Sequence, residues 1–270
     1  ESEINNTCNM IRIHRLKICR TLILFSILIF QLYAFSSKVC RTFTSNHHIH
    51  ASIDTITSST TSRYMCDLDE IEQRRPVRFL GKGERALIRP GVVMVAPSHE
   101  YNHFLMRSAV FIYGVGLNDY GEQVTRGVII DHPTAFTMGE MGGGTVYGVL
   151  AHNILFRGGD SGRDTAILLH SFGGKKDGIE CGEMIGTSGI FEGGLQSAMD
   201  LADDGLIDPE RLKFFFNYIE FTEKEMEEML AVEDSDGDAW TSVEVSPSLV
   251  LNSDLGRGDA WTYIRNQLRQ

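Results

Sequence analysis

Positive charge, cysteine and long apolar runs are scarce through most of this 270-residue chain, and each scarcity excludes something. Of 25 Lys and Arg, 7 precede Asp67, as do only 3 of 36 Asp and Glu; this leaves 18 basic against 33 acidic residues, about −15 net. Such a field repels phosphate backbones and disfavours direct nucleic-acid binding. Of five cysteines, Cys8, Cys19 and Cys40 come early, Cys66 lies at the edge of the acidic part, and Cys181 alone stands inside it. No disulfide framework follows from that spacing. The longest apolar run, Thr21 to Leu32, is too short to span a bilayer comfortably.

Before Asp67 the residues have the layout of a leader. Met10 is followed by Arg12, Arg15, Lys17 and Arg20, then the apolar run, then Tyr33-Ala34-Phe35. A basic region, an apolar region and a small residue at the cut describe a secretory signal peptide, so residues 1–34 are expected to be upstream sequence plus that signal. Residues 35–66 are rich in Ser and Thr, basic rather than acidic and without apolar periodicity, as in a transit peptide. A cut that leaves Phe35 first, followed by such a segment, looks like the bipartite leader of algae with complex plastids, diatoms in particular. The expected destination is the plastid stroma, with simple secretion as the alternative.

Residues 67–90 are polar and punctuated by Pro and Gly, which predicts a linker, and the packed domain is expected over 91–270. Apolar runs bounded by turn residues predict strands at Gly91–Ala96, Ser108–Tyr113, Gly127–Asp131, Asn153–Phe156, Thr165–His170, Phe214–Phe221 and Ala239–Val245. Thr222 with Glu225 three residues later forms a capping box for a helix to about Val232. Leu195–Ala202 reads as another helix, and Asp259 as the cap of a last one carrying Trp261, Ile264 and Leu268. Strands precede helices without regular alternation, which favours an α+β fold.

Several motifs carry possible chemistry. His99-Glu100-Tyr101-Asn102-His103 matches H-E-x-x-H, in which two histidines one helical turn apart bind zinc and the glutamate activates water. It sits in a short stretch between two strands, and a loop carrying two histidines explains the same residues. Gly159-Asp160-Ser161-Gly162 echoes a serine-protease nucleophile segment, without an evident partner histidine or aspartate; His132 and His170 have no fixed place in space from sequence. A tight turn accounts for its glycines. Asp234, Asp236 and Asp238 alternate like calcium ligands, but Ala239 and Val245 stand where that loop needs glycine and glutamate. Gly142-Gly143-Gly144 and Gly173-Gly174-Lys175-Lys176 match no phosphate-binding fingerprint, and Phe214-Phe215-Phe216, judged to lack basic neighbours, reads as core.

Taken in order, these segments resemble the AlgH/YqgE family. The resemblance rests on Gly91 to Pro97, Arg107-Ser108 entering a strand, Gly127 to Pro133, Phe156-Arg157-Gly158-Gly159, Ala166 to Ser171, Gly205 to Phe215, the Glu225 to Leu230 helix, Trp240, and Ala260-Trp261. Asp131-His132 stands where the family has Asn-Arg, and Asn217 to Phe221 replaces its G-Y-A-G-W. The resemblance implies an α+β fold in which a mixed, bifurcated sheet folds as a pseudo-barrel with flanking helices. It supplies no activity, catalytic residue or cofactor. The expectation is therefore a non-enzymatic binding or regulatory protein whose partner is a protein or small ligand. Its site is expected at strand ends and turns: Arg107, Ser108, His132, Arg157, Gly158 and Gly159. The competing expectation is a hydrolase, zinc-dependent through His99, Glu100 and His103 or serine-dependent through Ser161.

Overall fold

The computed structural model describes residues 77–141, 145–173, 178–180, 182–233 and 237–269. The leader, all five cysteines, Gly142 to Gly144, Gly174-Lys175-Lys176, Asp234 and Asp236 lie outside them. Among the described residues, eleven strands form one sheet: β1 (Arg78–Lys82), β2 (Val93–Val95), β3 (Ala109–Leu117), β4 (Gln123–Ile129), β5 (Pro133–Thr137), β6 (Ile154–Arg157), β7 (Ser161–His170), β8 (Gly182–Met184), β9 (Phe191–Gly193), β10 (Leu212–Thr222) and β11 (Thr241–Glu244). The helices are α1 (Met138–Met141), α2 (Leu195–Asp203), α3 (Glu223–Ala231), α4 (Pro247–Leu251) and α5 (Asp259–Leu268).

The main path runs β1-β11-β2-β3-β4-β10-β7-β9-β8 and forks at β10. The N-terminal half of β10 pairs with β7 antiparallel and with β6 parallel, while Ile219–Thr222 pairs with β4. The register breaks between Phe216 and Tyr218, where Asn217 takes a left-handed φ of 61°. A side chain at Gly158 would meet the Asn217 carbonyl oxygen at 2.3 Å, and one at Gly159 would meet the Tyr218 carbonyl oxygen at 2.2 Å. The glycine pair therefore lets β6 lie directly on the backbone of the fork. The sheet is mixed and bifurcated, as the family resemblance implies. It remains open, because the path ends at β1 and β8 without closing into a barrel.

Alternation sends β2, β3 and β4 side chains to two covered faces. Val93, Val95, Phe111 and Val128 join Phe156 and Phe215 against Val250 of α4 and Ala260 and Ile264 of α5. On the opposite face, Met94, Val110, Ile112 and Ile129 meet Met226 of α3 and Trp240. Leu155, Leu168 and Phe214 pack on Ala198, Met199 and Ala202 of α2. Burial on both faces explains why these strands run apolar without strict alternation. Beyond Tyr113, β3 continues as far as Leu117 in a hairpin arm with β4, where Val115 and Leu117 are exposed. With no covered face to mark it, that extension escapes the apolar pattern.

Two expectations change. Residues 67–90, read as linker, contain β1, which pairs antiparallel with β11, so folded structure begins before Gly91. Asp259 is not the cap of α5: Gly258 holds that position in the left-handed region, and the Asp259 carboxylate accepts from the Gly256 N–H at 2.8 Å. The capping box of α3 forms in both directions: Thr222 Oγ1 accepts from the Glu225 N–H, and Glu225 Oε2 accepts from the Thr222 N–H at 2.8 Å. Thr222→Ala removes one of these bonds and is expected to lower stability by about 1 kcal/mol. A urea unfolding midpoint measures this, with an unchanged slope as the sign that only stability moved.

Candidate functional site

The site rests on a buried cation. Strand alternation in β10 puts Lys213 on the inner face with Phe215. Its Nζ donates to the carbonyl oxygens of Ile130 and Asn252, each at 2.6 Å, and of Val250 at 3.1 Å, and lies 4.1 Å from the centre of the Phe156 ring. Burial pulls its pKa down to about 7, with Asp131 pulling the other way. Three carbonyls engage three N–H groups, which only the ammonium form carries. Phe214 and Phe215 are core as expected, with Phe216 half-buried beside them, but they do have a basic neighbour in Lys213.

Asp131 follows Ile130 and is fully buried. Its Oδ2 accepts from the backbone N–H of Ala260 at 3.1 Å and of Trp261 at 3.4 Å, so it caps α5 from across the fold. Oδ1 has no hydrogen-bond partner among the described residues. Burial pushes the carboxyl up to about 6, against the two N–H groups and Lys213.

His132 is next and is 8% exposed, with Nε2 unpartnered. Burial first, and then the positive charges of Arg257 and Arg157, lower its pKa to about 4, so the imidazole is neutral at pH 7. Its carbonyl oxygen accepts the Arg157 N–H at 2.8 Å, tying the end of β6 to the turn after β4. The Arg157 guanidinium lies over the Phe104 ring at 4.4 Å. Arg107, held at a φ of 55°, lies over Trp261 at 5.9 Å, and Arg265 lies over the same ring at 5.3 Å. Arg265 is already committed through both its NH groups to Asp238, at 2.9 and 2.6 Å. Although burial of Asp238 works against ionisation, bonds from Arg265 and Ser98 hold its carboxyl at about 2.

Arg107, His132, Arg157, Gly158 and Gly159 thus gather where the fork, the turn after β4 and the start of α5 meet. Ser108 is buried beside them, its Oγ donating to the Phe104 carbonyl oxygen at 3.0 Å, so it fixes the preceding turn. The glycines shape the floor through their lack of side chains. Sequence reasoning did not nominate Arg257, Phe104 or Trp261. The nearest signal was Trp261 in the Ala260-Trp261 motif, four residues beyond Arg257.

Phe104 also lines a separate groove of about 1060 Å³ with His99, Glu100, Asp160, Ser161, Met229 and Trp240. The 98–107 segment forms turns rather than the helix on which H-E-x-x-H presents two ligands. Glu100 is spent on structure, accepting from Trp240 Nε1 and from the Asn102 N–H, both at 2.9 Å. Among the described residues, no group of three or more His, Cys, Asp or Glu is placed to hold a metal ion. Ser161 opens β7 opposite Tyr218, whereas His170 closes that strand opposite Leu212, roughly 20 Å away.

A family model described as AlgH-like matches residues 102–269. A crystal structure of a Corynebacterium diphtheriae protein superposes with a TM-score of 0.50 at 18% identity, covering 69% of this chain and 90% of that one. The solution structure of the AlgH protein from Pseudomonas aeruginosa gives 0.48 at 17% identity, covering 66% and 87%. No curated protein sequence matches. The structural likeness at such identity concerns the fold alone.

A neutral, buried His132 makes stability depend on pH. Its imidazole ionises at about 4 when folded, against 6.5 ordinarily, so between those values the unfolded chain binds more protons. Stability therefore falls as pH drops from 6.5 to 4. His132→Phe removes this loss, and over that window the variant is expected to gain on the parent by on the order of 3 kcal/mol. Urea midpoints at several pH values measure the difference, and parallel pH profiles would contradict the assignment.

Proposed function

The chain belongs to the AlgH-like family, and from that premise we propose that its domain is a non-enzymatic binding protein whose ligand presents an anionic group to Arg107, Arg157, Arg257 and His132. One observation carries the reading: in a strongly acidic domain, the charges of Arg157 and Arg257 act on a buried imidazole, Arg107 stands over Trp261 of the adjoining helix, and none of the three is ion-paired to a carboxylate among the described residues. Arg107 and Arg157 stand over aromatic rings, a contact that holds the cations in place without using up their N–H groups on carboxylates. Guanidiniums keep their protons at all ordinary pH, so they hold an anion rather than shuttle protons. The unpartnered Nε2 of His132 adds one neutral hydrogen-bonding group. The N-terminus of α5 is not available for the same task, since Asp131 already occupies its N–H groups.

The ligand classes that fit are small carboxylates, phosphate-bearing metabolites and acidic peptide segments, and a regulatory role follows if occupancy is sensed by a partner. Long phosphate backbones are disfavoured by the charge of the whole domain. Among the described residues, no helix is long and apolar enough to cross a membrane. The proposed location is the plastid stroma, supported by the order of basic, apolar and Ser/Thr-rich segments ahead of Asp67.

Titration calorimetry with inorganic phosphate and with citrate tests the site. Arg107→Ala and Arg157→Ala are each expected to weaken binding about tenfold, or 1.4 kcal/mol, and Ser161→Ala to leave it unchanged. Absence of binding by the parent protein at millimolar anion, or equal binding by all variants, would overturn the assignment. Location is tested separately by placing residues 1–76 ahead of a fluorescent protein in a diatom. Stromal fluorescence, diverted by Phe35→Ala, is the expected result, and fluorescence in the medium would show secretion instead.

A further inference from the structure

We propose that the groove between α3 and the 97–105 loop docks a basic amphipathic helix of another protein, independently of the anion site. Its floor is apolar: Leu105, Ile219, Phe221 and Trp240 are buried beneath it, with Met229 and Phe104 half-buried at its walls. Its lip holds two apolar groups in water, Tyr101 at 94% exposed and Val232 at 60%. No Lys or Arg lines it, whereas carboxylates line it on every element that contributes.

Most of those carboxylates have structural duties. Glu100 holds Trp240, Glu220 pairs with Arg126 at 2.8 Å, Glu225 closes the capping box, and Asp238 is gripped by Arg265. Asp160 and Glu233 have no ion pair among the described residues, and the 3.6 Å contact of Glu228 with Lys224 is largely exposed. Screened by solvent, such an exposed pair leaves Glu228 free to change partners. The rim therefore offers negative charge on both sides of an apolar trough.

That charge decides the occupant. Phosphate-bearing ligands and anionic membranes are repelled, and an acidic or neutral peptide gains nothing from the rim. A helix with apolar residues at i, i+3, i+4 and i+7 and Lys or Arg on its flanks meets the floor and both rims at once. The opposite sign across Phe104 keeps the two sites chemically separate: the anion site is cationic and the groove anionic.

The test is fluorescence polarisation of the full mature chain with a labelled two-heptad Leu/Lys helix, beside a Leu/Glu helix of the same pattern. The Leu/Lys helix is expected to bind and the Leu/Glu helix not. The double variant Glu228→Lys/Glu233→Lys is expected to weaken binding at least tenfold at low salt. Tyr101→Ala/Val232→Ala, also at exposed positions, is expected to weaken it at about 0.5 M salt as well, where charge attraction is screened. Inorganic phosphate, the probe of the anion site, added at constant ionic strength, is expected to leave it unchanged. Binding insensitive to the apolar double variant would show charge attraction to an acidic surface rather than docking and would overturn the proposal. So would equal binding of the Leu/Glu helix, or no binding by the parent protein.

Discussion

An ammonium group buried under a sheet is the constraint around which this fold is arranged. Taking Lys213 out of water costs several kcal/mol. Its three bonds to carbonyl oxygens, each charge-assisted and worth about 1.5–3 kcal/mol, and the Phe156 ring offset that cost. The net gain in stability is small, and the gain in geometry is larger. The three acceptors belong to the end of β4 and to the region where α4 ends, so one side chain sets the distance between the sheet and the C-terminal helices. Asp131 follows directly and holds the first turn of α5. With those two contacts made, His132, Arg257 and Trp261 have their places.

The same logic explains the glycine pair. A forked strand needs a third strand to approach its backbone at the point of divergence, and only residues without a side chain permit that approach. Gly158 donates its N–H to the Phe216 carbonyl oxygen and accepts from the Ile129 N–H, so it bridges β4 and β10 where they separate. Arg157, immediately before it, is thereby carried to the rim with its guanidinium over Phe104. What looks like a binding motif in sequence is a structural requirement at Gly158 and Gly159, and it delivers a functional candidate at Arg157.

Much of the architecture was legible because local signals and packing agree. The strands buried on both faces and the capping box at Thr222 are written in short windows of sequence. β1 and the capping of α5 were not legible because each depends on a partner far along the chain, and the hairpin arm beyond Tyr113 because no covered face marks it. β1 has only β11 to define it, and Asp131 reaches α5 from about 130 residues away. Lys213 left a trace that was readable in principle, a charged residue on the inner face of an otherwise apolar strand. For the site, strand-end position led to Arg107, His132 and Arg157, but nothing local marked Arg257.

His132 stands where the sequence resemblance implies an arginine in the family, and it gives this corner a neutral group instead. An arginine beside Arg157 and Arg257 would add a third fixed charge and mutual repulsion in a desolvated setting. A neutral imidazole avoids that repulsion and leaves an unpartnered nitrogen, which costs about 1–3 kcal/mol while nothing meets it. An incoming anion changes both terms together: it gives Nε2 a partner and, by its charge, favours protonation of the ring. On the proposed reading, ligand and proton would bind with mutual reinforcement, and fit to that one hydrogen bond would add to charge in setting the preferred anion.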